Sequence, residues 1–240
     1  MQRGADTMTT ARRAFLGLAT LLLGGVLNAA AAADAPKWVE GRHYAVIRPA
    51  QQTQAAPGKV EVTEVFSYGC PACFQFQSSM DKIKAGLPAN AQLVFVHASW
   101  SAAESWPLFQ RSFLTAQALG LAEKNHTAMF TAIWGEGGPL AVVDTQTQRV
   151  KPRPPTIEDV AKFYAKRGGV TEAQFIQTAK SFSVDMRMKQ SDALVKGYLT
   201  PSTPTLVVAG KYRLDLSMLS GPGEILDLIR YLVQKESGGH

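Results

Sequence analysis

Only two cysteines, Cys70 and Cys73, and four histidines occur among the 240 residues. A structural zinc site needs about four Cys or His ligands at short spacing, and no second Cys or His pair accompanies the two cysteines. The chain also has no run of lysines and arginines with interleaved aromatics, although its net charge is +6. We therefore expect neither a metal site nor nucleic-acid binding.

The chain lacks a hydrophobic run long enough to span a membrane. The longest apolar stretch, from Ala14 to Leu27, is interrupted by glycines and falls short of the ~20 residues that a membrane helix needs. It follows Arg12-Arg13 and precedes an A-x-A pattern at 31–33, which predicts a cleavable signal peptide over residues 1–33. We expect Sec export rather than the twin-arginine route, and a mature chain in the periplasm, without stable membrane insertion.

The two cysteines form a Cys70-Pro71-Ala72-Cys73 motif between a strand-like and a helix-like run. A thiol at a helix N-terminus is favoured as the thiolate, because the unpaired N–H groups and the helix dipole stabilise negative charge. Proline suits the first helical turn. The pattern favours redox chemistry, and its alternatives are a zinc half-site and a small inert disulfide.

The periodicity of apolar residues predicts the order of the elements. Residues 59–66 alternate as a strand, 71–86 carry helical spacing, and 91–98 form a second strand, which together make a βαβ unit with a parallel pair. Capping boxes at Thr156 and Thr171 begin helices in a middle region without strand signals. Strand signals return at 205–208 and 211–214, before a last helix. The prediction is an α/β domain at 34–98 and 191–240, interrupted by an all-helical insertion at 99–190.

The run Phe66-Ser67-Tyr68-Gly69-Cys70-Pro71-Ala72-Cys73, with Thr203-Pro204 about 130 residues later, closely resembles DsbA-type thiol:disulfide oxidoreductases. The resemblance implies a thioredoxin fold interrupted by a helical domain, and a redox-active disulfide without a further cofactor. It also implies that Cys70 forms the mixed disulfide with newly exported polypeptides and that Cys73 is the buried resolving cysteine.

Two further sites are predicted around the motif. Glu64 lies on an otherwise apolar strand face and matches the buried acid of the family, whose raised pKa would let it exchange protons near Cys73. The alternative is a strand-end carboxylate that pairs with a lysine or faces solvent. Thr203-Pro204 matches the family's cis-proline dipeptide beside the substrate, with Pro201 as the nearby alternative.

The motif departs from strongly oxidising relatives at two positions. Pro71-Ala72 stands where they typically carry Pro-His, and Thr203 stands where they often have valine, so we predict a milder oxidant. A disulfide isomerase or reductase is the first alternative, although residues 34–58 are too few for the dimerisation domain of such isomerases, so a monomer is expected. The resemblance also implies a DsbB-type quinone-linked membrane oxidase as partner.

The second alternative belongs to another class of protein, a redox-idle chaperone that holds peptides in a groove near Pro204. Phe74 and Trp106 would serve such a groove, but both are interpreted as core residues. The isolated aromatic and imidazole side chains elsewhere are also interpreted as packing residues: His97, His126 and Trp134.

Overall fold

The computed structural model describes residues 36–144, 146–147 and 149–238, so the predicted signal peptide lies outside the described residues. Within them, five strands form one mixed sheet and seven α-helices pack around it. In chain order the elements are β1 (Tyr44–Val46), β2 (Val60–Phe66), α1 (Pro71–Gly86), β3 (Ala91–His97), α2 (Trp106–Ala118), α3 (Ala122–Trp134), α4 (Ile157–Lys166), α5 (Glu172–Ala179), α6 (Phe182–Gly197), β4 (Thr205–Val208), β5 (Tyr212–Leu214) and α7 (Pro222–Ser237).

The strands lie in the order β1-β5-β4-β2-β3. Strands β2 and β3 are parallel and joined by α1, with Val60 opposite Ala91 and Phe66 opposite His97, which confirms the predicted βαβ unit. Strand β4 pairs antiparallel with both β2 and β5, and β1 pairs antiparallel with β5. Because β2 lies between β3 and β4, its carboxyl end is flanked by main chain on both sides.

The two outer strands of the sheet differ in length and in cover. Strand β1 has only three residues. At the end of β3, the His97 carbonyl accepts hydrogen bonds from Gln110 Nε2 and Ser191 Oγ, each at 2.9 Å. Side chains from α2 and α6 thus occupy an edge position that a further strand would otherwise fill.

Two of the helices between β3 and β4, α4 and α5, begin where local chemistry predicts. Thr156 and Thr171 accept hydrogen bonds from the amides of Asp159 and Gln174, whose side chains return the bond, so both predicted capping boxes are present. The predicted division between residues 190 and 191 falls inside α6, which continues to Gly197. The polar residues near 190 contain no glycine or proline that would end a helix there.

Apolar side chains form two buried clusters. One lies between the sheet and helices α1 and α7, and includes Val62, Ile83 and Leu228. The other joins the end of β2 to the helical segment, and includes Phe66, Phe113 and Phe130 with Cys73. Full burial of a side chain of this size stabilises the fold by roughly 1.5–3 kcal/mol. The loop that connects β2 to α1 therefore packs against a buried cluster of aromatic side chains.

Candidate active site

Cys70 is the N-cap residue of α1, and Pro71 is the first residue of that helix. The strand ends at Phe66, so three residues carry the chain from the sheet to the N-cap Cys70. The Cys73 amide, one of the N–H groups that no helical carbonyl can accept, donates to Cys70 Sγ at 3.2 Å. This is the local geometry that the sequence predicts for a thiolate-stabilising helix terminus.

The two thiols have opposite electrostatic environments. Hydrogen bonding from the Cys73 side chain, followed by the Thr203 side chain and the amides of Cys73 and Ala72, lowers the pKa of Cys70 to about 6 despite its burial. Burial and the neighbouring Cys70 raise the pKa of Cys73 well above that of a free thiol. At neutral pH the reduced pair therefore holds its negative charge on Cys70 and its proton on Cys73.

Glu64 lies on β2 and is 1% exposed. Neither of its carboxylate oxygens has a hydrogen-bond partner in the described part of the chain. Burial, followed by the charge of Cys70, raises the pKa of Glu64 to about 8. Among the described residues, the side chain neither pairs with a lysine nor faces solvent. A role for Glu64 in proton exchange near Cys73 stays a prediction.

The loop before β4 brings a distant segment to the cysteines. The Thr203–Pro204 peptide bond is cis, as the resemblance implies, and the Thr203 carbonyl oxygen lies 3.4 Å from Cys70 Sγ. Both residues are half-buried. A second cis bond, Arg48–Pro49, was not predicted.

The similar proteins of known function belong to one family. No family model matches the chain. The thiol:disulfide interchange protein DsbA of Azotobacter vinelandii is 35% identical, over 82% of this chain and 83% of that protein. DsbA of Pseudomonas aeruginosa is 34% identical, over 85% of this chain and 89% of that protein. This chain belongs to the DsbA family. It is a protein-disulfide oxidoreductase of the thiol:disulfide interchange type.

Solved structures of the DsbA family support the same fold. The crystal structure of oxidoreductase DsbA from Xylella fastidiosa has a TM-score of 0.70 at 29% identity, and covers 84% of this chain and 98% of its own. The crystal structure of Pseudomonas aeruginosa DsbA has a TM-score of 0.68 at 31% identity, with 84% and 95% covered. The predicted thioredoxin fold with a helical insertion is confirmed.

The two residues between the DsbA-type cysteines are exposed. Pro71 has no N–H, and Ala72 presents only a methyl group, so neither side chain adds a charge or a polar hydrogen to the Cys70 sulfur. In the region that the structure describes, no group of three or more His, Cys, Asp or Glu side chains is arranged to hold a metal ion.

The loop before Cys70 is bound by side chains that were interpreted from the sequence only as packing residues. The Tyr68 amide donates to His97 Nε2 at 3.0 Å, and Trp134 Nε1 donates to the Tyr68 carbonyl at 2.8 Å. The Tyr68 hydroxyl lies 3.0 Å from His126 Nδ1. No sequence signal could identify these partners, because each bond joins residues that are at least 29 positions apart.

Proposed function

We propose that Cys70 and Cys73 form the disulfide that this enzyme donates to pairs of thiols in exported polypeptides. The proposal is carried by one observation. At the start of α1 the Cys70 sulfur accepts a hydrogen bond from the Cys73 amide, and the Cys73 thiol beside it is buried. A thiolate stabilised in this way makes the reduced enzyme favourable, and therefore makes the disulfide form an oxidant.

The exchange proceeds in two displacement steps. A substrate thiolate attacks the Cys70 sulfur, the Cys70–Cys73 bond breaks, and Cys73 leaves with the electron pair. A second substrate thiolate then attacks the substrate sulfur of the mixed disulfide, and Cys70 leaves as a thiolate. The substrate loses two electrons and gains a disulfide, while the enzyme becomes a dithiol.

Glu64 supplies the proton that the first step requires. Cys73 leaves as a thiolate in a buried site where a negative charge is costly. Because the pKa of Glu64 is raised to about 8, the carboxyl carries a proton at neutral pH. Its oxygens contact no hydrogen-bond partner among the described residues, so the proton passes to Cys73 through a bridging water. The same carboxylate recovers that proton when the disulfide is restored.

Thr203 and Pro204 form the substrate edge beside Cys70. An extended peptide can pair with exposed main chain at such a loop, and the Thr203 carbonyl is only 3.4 Å from the sulfur that substrate must reach. Extended, cysteine-containing segments of unfolded polypeptides are therefore the proposed substrates.

The export pathway and the oxidising partner follow from the sequence and the family. Residues 1–33 would direct the chain to the periplasm and be removed before Asp34, with Sec as the proposed route. No described helix is long and apolar enough to cross a membrane. A DsbB-type quinone-linked membrane oxidase would restore the Cys70–Cys73 disulfide of the monomeric mature protein.

The proposed function is tested with the oxidised mature protein that begins at Asp34. It should oxidise a reduced two-cysteine peptide stoichiometrically, and Cys70→Ser should abolish the reaction. A parallel assay measures repair of a protein with scrambled disulfides. Repair without peptide oxidation would support an isomerase instead, and peptide binding without any redox change would support a chaperone.

The strength of the oxidant is a separate prediction. Ala72 lacks the positive charge and polar hydrogen that a histidine would offer to the Cys70 thiolate, so the reduced form gains less stabilisation than in Pro-His relatives. A glutathione redox titration should place the potential below theirs, with ~30 mV for each tenfold change in the equilibrium constant. An Ala72→His variant should be the stronger oxidant, and equal potentials would contradict the prediction.

A further inference from the structure

The loop between β2 and Cys70 is held by side chains and by its own turn. Ser67 Oγ accepts the Gly69 amide and the Ser67 carbonyl accepts the Cys70 amide, each at 3.1 Å. The amide and the carbonyl of Tyr68 bind side chains from other elements. His97 Nε2 accepts the Tyr68 amide at 3.0 Å, and Trp134 Nε1 donates to the Tyr68 carbonyl at 2.8 Å.

The tautomer of His97 is determined by its second hydrogen bond. His97 Nδ1 lies 2.7 Å from the Ala98 carbonyl oxygen, which can only accept. Nδ1 therefore carries the proton, and Nε2 presents a lone pair to the Tyr68 amide. The side chain is fully buried, and that burial lowers the pKa of His97 to about 3. The imidazole thus remains a neutral acceptor throughout the pH range in which the enzyme works.

We propose that His97 is a positioning residue for thiol–disulfide exchange, because together with Trp134 it fixes the loop that presents Cys70. His97 makes no hydrogen bond to the sulfur itself, so it acts through the two peptide units that separate Tyr68 from Cys70. The inference rests on the proposed role of Cys70 as the attacked thiol.

A small displacement of this loop would affect the sulfur directly. The Cys73 amide is 3.2 Å from Cys70 Sγ, a close contact for the large sulfur acceptor, and lengthening this contact weakens stabilisation of the thiolate. His97 is the last residue of β3, whereas Trp134 is the last residue of α3. The sheet and the helical segment therefore hold the two peptide groups of the same residue, Tyr68.

The test compares His97→Phe with His97→Gln. Phenylalanine keeps an aromatic ring in the cluster but removes the acceptor, whereas the Gln oxygen can occupy the place of Nε2 and accept the Tyr68 amide. In His97→Phe the pH midpoint for alkylation of Cys70 should rise. The glutathione equilibrium constant should shift about fivefold toward the disulfide form, which is the change that one net hydrogen bond makes. His97→Gln should recover most of both effects.

Two further variants separate positioning from packing. Phe113→Leu loosens the same aromatic cluster, whose rings contact Phe66 and Tyr68, without removing a hydrogen bond, and should leave the Cys70 midpoint unchanged. Trp134→Phe removes the donor on the other side of Tyr68 and should raise the midpoint as His97→Phe does. Because Trp134 is only half-buried, this variant tests the inference even if His97→Phe fails to fold.

A wild-type midpoint in both His97→Phe and Trp134→Phe would overturn the inference, as would an equal shift in Phe113→Leu. Alkylation reports on the thiol itself, so this result does not depend on whether the protein oxidises dithiols. Failure of the proposed function would instead appear in the wild-type peptide oxidation assay.

Discussion

Two glutamates lie three residues apart on β2, and their hydrogen bonds give them different chemistry. Both are 1% exposed. Glu61 accepts from the amides of Gln54 and Ala55 and from the Thr63 hydroxyl, so its carboxylate oxygens are hydrogen-bonded. Glu64 has no such donors among the described residues. A buried carboxylate without donors keeps its proton to higher pH, in agreement with the raised pKa of Glu64 and with the proton-transfer role proposed for it.

The missing donors make Glu64 a source of instability that depends on pH. Its pKa is raised from 4.5 to about 8 on folding, so below pH 4.5 the carboxyl is protonated in both states and its titration does not change the stability. Between these values the unfolded chain releases a proton that the folded chain retains. Stability therefore falls as pH rises, by at most about 1.4 kcal/mol per pH unit.

We expect Glu64→Gln to remove this pH dependence. We propose urea unfolding of the reduced protein at several pH values. The free energy of unfolding of Glu64→Gln should increase relative to wild type between pH 5 and pH 8, with little difference at pH 4. Parallel stability profiles for the two proteins would show that Glu64 is not protonated in the folded state. The same variant should slow peptide oxidation near neutral pH, since Cys73 loses its proton donor.

At the scale of elements, the loop between β2 and Cys70 contacts α2 at Gly69. A Cβ atom at this position would lie 2.5 Å from Trp106 Cδ1 and 2.6 Å from Trp106 Nε1. The indole cannot easily move away, because it is 8% exposed and stacks on Trp100. The absence of a side chain at Gly69 thus lets a helix of the inserted segment pack directly against the residue before Cys70.

Gly69→Ala should therefore destabilise the protein and disturb the thiol. Overpacking of a filled contact costs roughly 1–3 kcal/mol, and displacement of the loop should also raise the pH midpoint for Cys70 alkylation. Gly223→Ala is the control, since a Cβ there meets nothing within 4 Å. Gly223 lies in α7, where alanine is the better helix former, so stability should not fall and the alkylation midpoint should stay unchanged. Wild-type stability and thiol reactivity in Gly69→Ala would contradict the prediction, because they would show that the Trp106 side chain moves to accommodate the methyl group.

At the scale of the whole molecule, the redox state should change the stability. The pKa of Cys70 is lowered from 9.0 to about 6 in the folded reduced protein. Between these values the folded chain has released a proton that the unfolded chain still holds, so this contribution to stability is complete above pH 9 and is lost as pH falls through 6. The oxidised protein has no thiol to titrate.

We predict that the free energy of unfolding of the reduced form, relative to the oxidised form, is greater at pH 8.5 than at pH 5. Urea unfolding with and without a reductant measures this difference. Cys70→Ser cannot form the internal disulfide, so its stability should be the same in both conditions. A difference between the redox forms that does not change with pH would contradict the lowered pKa of Cys70.

Much of this organisation could be predicted from the sequence because it depends on local chemistry. The cysteine spacing, the alternation of 59–66, and the capping boxes at Thr156 and Thr171 are each encoded within a few residues. The resemblance to the DsbA family supplied the long-range pairing of Thr203-Pro204 with the cysteines.

What the sequence could not predict depends on contacts between distant segments. The three residues of β1 carry no information about their pairing with β5. Alternation alone predicted that β2 would have two faces, but both are buried, because α1 and the helical segment cover the sheet from opposite sides. His97 and Trp134 were interpreted as packing residues, since a lone imidazole or indole does not reveal which amide or carbonyl it will bind.

The cover at the end of β3 has a consequence for the unfolded polypeptides that are proposed as substrates. Such chains are rich in unpaired amides and carbonyls, and an uncovered strand would recruit them as additional strands and nucleate aggregates. The side chains of Gln110 and Ser191 occupy the His97 carbonyl, and β1 is too short to template a partner. At the His97 end of β3 and along β1, the sheet therefore gives an unfolded chain little main chain on which to add a strand.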